Sequence, residues 1–149
     1  MNKDIEANNV QRLLMTVFLG YIALAVVIFL LFETGIIAEG PLAHDTRLSF
    51  AVATALELAT ICDIPLALYL FHRKQTKATL REKKWSALRG LGILRIALLG
   101  NMLILNALCY YLFLGVMFGY LAIIVLISMY FVVPTMNRCR MDIGEFDVE

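Results

Sequence analysis

Four long apolar runs, at about 13–32, 48–71, 91–112 and 116–133, alternate with short polar segments along this chain of 149 residues. Each run has roughly 18–24 residues, close to the ~20 that a helix needs to cross ~30 Å of hydrocarbon. Backbone groups in lipid find no water, so each run is expected to satisfy its own amides as a helix. The short alternating strands of a membrane barrel are not in the pattern. The expected fold is all-α: a single membrane domain over 1–149, built as a bundle of four transmembrane helices.

The polar segments punctuate the runs. The arm 1–12 reads as coil or a short helix, with Asn8 or Asn9 capping the first span. Gly35 and Gly40-Pro41 mark a turn-rich loop at 33–47, and Asp45 or Thr46 reads as the N-cap of the second span. Leu112 to Gly119 is a tight connection, which makes spans three and four an antiparallel hairpin. The tail from Asn137 onward is polar, and a loosely ordered end is expected. The first span is longer than a signal-peptide core and lacks a small-residue cleavage pattern, so it reads as an anchor.

Composition agrees with this class. Hydrophobic residues make up 61% of the chain and charged residues 17%, with a mean hydropathy of +0.80. The net charge of +1 gives no sign of nucleic-acid binding, but its distribution orients the chain. Arg73, Lys74, Lys77, Arg81, Lys83, Lys84 and Arg89 all lie in the loop 72–89, whereas the loop 33–47 has Arg47 beside Glu33, Glu39 and Asp45. Basic loops stay in the cytoplasm, so both termini are expected inside a bacterial inner membrane. Within the basic loop, Lys77, Arg81, Lys83, Lys84 and Trp85 are candidates for contact with lipid headgroups, each cation contributing ~1 kcal/mol near an anionic surface. The plainer reading is a topology signal with Trp85 as an interfacial anchor.

The chemistry lies in the few polar residues inside the runs. A charge at the bilayer centre costs ~3 kcal/mol on insertion scales, so Glu57, Asp63 and Arg95 need partners or a cavity. At about 100° per residue, Glu57, Thr60 and Asp63 share one side of the second helix, and Arg95 and Asn106 share one side of the third. Asn101 lies on another face. Ala51, Ala55, Ala59, Asp63 and Ala67 recur every four residues, and small residues let helices approach closely. Pro65 should kink the second helix. At ~1.5 Å per residue from the basic loop, Glu57 is level with Asn106 and Asp63 falls between Arg95 and Asn101. The expected contacts are an Asp63–Arg95 ion pair and a Glu57–Asn106 hydrogen bond. The alternative for Arg95 is to snorkel toward the headgroups.

Other chemistry has little support. Cys62, Cys109 and Cys139 have neither a C-x-x-C pair nor metal-type spacing. His44 sits near Glu33, Glu39 and Asp45, but a metal needs several ligands in fixed geometry, and a solvated loop is the simpler reading. No catalytic residue, metal or cofactor is assigned.

The runs Leu58-Ala-Thr-Ile-Cys-Asp63-Ile-Pro-Leu-Ala-Leu-Tyr-Leu-Phe71 and Leu94-Arg95-Ile-Ala-Leu-Leu-Gly100-Asn101-Met-Leu-Ile-Leu-Asn106 resemble the bacterial membrane family called domain of unknown function 4386. Ile37-Ala-Glu39 is also similar. The resemblance implies importance for Asp63, Arg95, Gly100, Asn101 and Asn106, and it implies no reaction. Family members usually have more spans and a shorter linker than the one at 72–89.

The expected role is a non-enzymatic structural, regulatory or partner-binding bundle held by intramembrane polar contacts. Its partners would be the bilayer and either a second copy or another membrane protein. A small proton-coupled carrier using Glu57 and Asp63 is the alternative, and an enzyme ranks last.

Overall fold

The structure, a computed structural model, describes residues 2–144. Those residues form helices and connections, with no strand among them: α1 (Asn2–Glu33), α2 (Thr46–Tyr69), α3 (Lys74–Lys83), α4 (Trp85–Phe113), α5 (Val116–Tyr130) and α6 (Met136–Asp142). Helices α1, α2 and α4 are long and apolar enough to cross a membrane. Helix α5 is apolar but has 15 residues, which at ~1.5 Å each gives about 22 Å, short of a ~30 Å core. The expected fourth span is therefore a shorter helix that ends before Phe131.

Helix α4 is the axis of the bundle, with α1, α2, α3 and α5 all packed against it. In its most apolar window 39% of residues are buried, against 22% for α2 and 6% for α1. Helix α1 is thus the one that shows most apolar surface to its surroundings. Helix α1 is also continuous from Asn2, so the expected arm is part of the helix. Its first turns extend beyond the apolar run and bury Ala7, Val10 and Leu14.

Around those turns the main core of the bundle continues into the basic end. Leu80, Trp85, Leu88, Val132, Cys139 and Ile143 are all buried there in one cluster with Ala7 and Val10. Trp85 is therefore inside the protein, not an interfacial anchor. The tail also departs from expectation. Thr135 accepts a hydrogen bond from the Arg138 amide and starts α6, which buries Cys139 against the bundle. Residues 145–149, the rest of the tail expected to be loose, lie outside the described residues.

Helix α2 starts as expected, with the Asp45 carboxylate accepting from the Leu48 amide at 3.0 Å, and it runs on through Pro65. Its buried face is Ala53, Thr60, Asp63 and Ala67. Ala51 and Ala55, the first members of the four-residue stripe, are exposed. A repeat of four advances about 400° per step and so drifts around a 3.6-residue helix, which is why only the end of the stripe faces inward.

At the other end, Gly40 and Leu42 donate backbone hydrogen bonds to the Tyr111 and Leu112 carbonyls at 2.8 and 3.1 Å. The loop thereby satisfies carbonyls that the last turn of α4 leaves open. Gly40 has a φ of +69°, and a Cβ there would strike the Leu114 side chain at 2.7 Å. The α3–α4 break is less comfortable. Lys84 carries φ 45° and ψ −117°, a region that suits glycine. Lys84→Gly is expected to stabilise the protein by about 1 kcal/mol, read as a rise in melting temperature in detergent.

Candidate functional site

Arg95 is a buried charge within the bundle. It sits about a third of the way along α4 from the basic end, and 5% of it is exposed. Its Nη2 donates to Asp142 Oδ2 at 3.3 Å. Its guanidinium carbon lies 3.9 Å from the centre of the Phe71 ring, a cation–π contact whose strength grows as the charge is desolvated. Nε has no hydrogen-bond partner among the described residues. The counter-ion of Arg95 is therefore Asp142 of α6, not the expected Asp63. An arginine side chain leans toward the N-terminus of its own helix, and on α4 that direction leads to the basic end and to α6.

Asp63 is buried, and its Oδ2 has no hydrogen-bond partner among the described residues. One turn away, Thr60 Oγ1 accepts from Asn106 Nδ2 at 3.3 Å, while the same amide donates to the Met102 carbonyl at 2.9 Å. The expected partner of Asn106, Glu57, is half-buried on α2 without that bond. The same N-terminal lean draws Asn106 toward Thr60, which lies nearer the basic end than Glu57. Asn106 Oδ1 is also unpartnered among the described residues. The α2–α4 seam thus brings Thr60, Asp63 and Asn106 onto one buried face and leaves two acceptors unmet.

Asn101 serves the other side of α4, as its angle predicted. It accepts from the Tyr21 hydroxyl at 3.1 Å across the α1–α4 contact. Gly100 is what lets the Tyr21 ring approach: a Cβ there would meet ring carbons closer than the 3.0 Å that real Cβ atoms keep. At the far end, Tyr111 stacks on Phe32 at 4.5 Å and donates to Glu33 at 3.1 Å.

The basic end holds a cavity of about 360 Å³ lined by Phe71, His72, Lys77, Arg81, Arg138, Met141, Asp142 and Gly144. The expected headgroup residues split here. Lys77 and Arg81 line this cavity, whereas Lys83, Lys84 and Trp85 line a smaller one at the start of α1. Burial pushes the Asp142 carboxyl above its ordinary value, and Arg95 and Arg138 only partly oppose this. Burial also pushes the Cys139 thiol up to about 11. Since the thiolate is the nucleophile, Cys139 is expected to resist maleimide at pH 8 in the folded protein and to react once denaturant is added. Mass-spectrometric mapping of the adduct checks this, and fast labelling of the folded chain would contradict the burial of α6.

Asp142 lies outside the apolar runs, and Phe71 is the last residue of the second run, with nothing there to mark it as a partner of Arg95. The available signal was the Pro134-Thr135 start followed by Met136, Cys139 and Ile143 at helical spacing. Comparison with protein-family models, curated proteins and solved structures finds no match for this chain, so the resemblance noted above rests on its residues alone.

Proposed function

We propose that the chain is a multi-pass protein of a bacterial inner membrane. It crosses four times, with both termini in the cytoplasm, and works without catalysis as a structural or regulatory bundle whose cytoplasmic cap meets a partner. The observation that carries this reading is the Arg95–Asp142 contact. The charge inside α4 is met by a tail helix that folds back over the basic end, so it holds a cap in place. The crowding of cations at that same end supports a cytoplasmic location. A short α5 is accommodated by local thinning of the bilayer or by tilt of its neighbours, each at modest cost. The partner is the bilayer itself together with a second copy or another membrane protein.

Reporter fusions test the orientation. A fluorescent protein fused after Glu149 should fold in the cytoplasm, and alkaline phosphatase inserted at Gly40 should be active outside. The reverse pattern would overturn the reading.

A second reading has one observation in its favour, the unmet acceptors on Asp63 and Asn106. In a small proton-coupled carrier, Asp63 and Glu57 would hold the transported proton. Proteoliposomes with an internal pH dye separate the two. Proton flux that disappears in Asp63→Asn would establish the carrier and remove the non-catalytic bundle. A proton-tight vesicle supports the bundle.

A further inference from the structure

We propose that the cavity at the basic end is a binding site for a phosphate-bearing anion, an inference that rests on the membrane reading above. Three elements converge on it: the segment after α2 brings Phe71 and His72, α3 brings Lys77 and Arg81, and α6 brings Arg138 and Asp142. Lys77, Arg81 and Arg138 are basic, and Asp142 is the one carboxylate among the described lining residues. That carboxylate is already engaged by Arg95 from beneath. Lys77 and Arg138 are the donors that a second anion entering it would meet, of the kind that bind phosphate as a point charge and in a bidentate fork.

Size and setting narrow the ligand. A volume near 360 Å³ exceeds what a halide needs and suits a phosphate group with part of its ester. Buried Phe71 and Met141, which is 64% exposed, give the lining an apolar part. An apolar flank beside a cationic floor, at the level where α2 ends, fits a phosphate that carries an organic substituent. Two sources share this chemistry, the headgroup of an anionic lipid and a free phosphate. This site differs from general attraction of the basic loop to a membrane. Lys74 and Arg89 are exposed cations of that loop, and they do not line it.

The test measures thermal unfolding of the full chain in nanodiscs of neutral phosphatidylcholine. One arm adds inorganic phosphate at constant ionic strength, and the other replaces part of the lipid with phosphatidylglycerol. A rise in midpoint is expected in at least one arm, and the arm that responds names the source. Lys77→Gln with Arg138→Gln should weaken the apparent affinity about tenfold or more, as the loss of two charge-assisted contacts implies. Lys74→Gln with Arg89→Gln should leave the response unchanged. A response in neither arm, or equal loss in both double variants, would overturn the site. If the chain instead leaves the nanodisc and stays soluble, it is the membrane reading that fails.

Discussion

Asp142→Ala is expected to destabilise the detergent-solubilised protein by about 3 kcal/mol, because it strands the buried Arg95 guanidinium. Asp142→Asn should cost within about 1 kcal/mol, since the amide oxygen still accepts from Nη2. The direction of the Asp142 shift supports the difference. Its carboxyl lies above the ordinary 3.8 because burial outweighs the pull of Arg95 and Arg138. A neutral group at this position is therefore tolerated better than the charge alone would suggest. The sign of the pH effect follows. The folded chain holds this proton at a pH where the unfolded chain has lost it. The contribution is full below the unfolded value and is lost as pH rises through the folded one. Acidification from neutral pH through that folded value should raise wild type relative to Asp142→Asn. A double-mutant cycle completes the test: Arg95 should couple to Asp142 by more than about 0.5 kcal/mol, and Arg95 with Asp63 should add independently. Coupling to Asp63 alone would refute the assignment.

Gly100→Val is the second large effect, with an expected loss of about 2 kcal/mol. Two terms oppose each other. Removing a helix glycine gains roughly 0.5–1 kcal/mol. Forcing a side chain into a filled contact costs about 1–3 kcal/mol. The obstacle is the inner part of the Tyr21 ring, whose hydroxyl is bound to Asn101. The clash therefore wins for valine, and alanine comes closer to balance. Tyr21→Ala should recover part of the loss in the Gly100→Val background by opening the same space. Additive losses in a chemical or thermal melt would show that the two positions do not touch.

These two sites show what a reading of residues along the chain can reach. The helices were legible because their apolar runs are long, and the Asp45 cap because capping is local. Thr60, Asp63, Arg95 and Asn106 are all buried, as their angular positions implied. Their partners were not legible. Arg95 finds its carboxylate 47 residues away in a segment with too few apolar positions to announce a helix. Asn106 passes over the level Glu57 for the shorter Thr60, because rise per residue ignores the lean of side chains. The Tyr21–Asn101 bond was hidden because the first span carried no charge to attract notice.

The separation between Arg95 and Asp142 also bears on biosynthesis. A ribosome adds about 5–20 residues per second, so roughly 2–9 s pass between the making of the arginine and the making of its counter-ion. In the membrane reading proposed above, α4 enters the translocon with its arginine still unpaired during that interval. The insertion penalty is about 2.5–3.5 kcal/mol at the centre of a helix, an upper bound for Arg95, which lies a third of the way along α4. On that reading a nascent chain stalled before residue 142 should hold α4 less firmly than the finished one, with the tail helix as the latch.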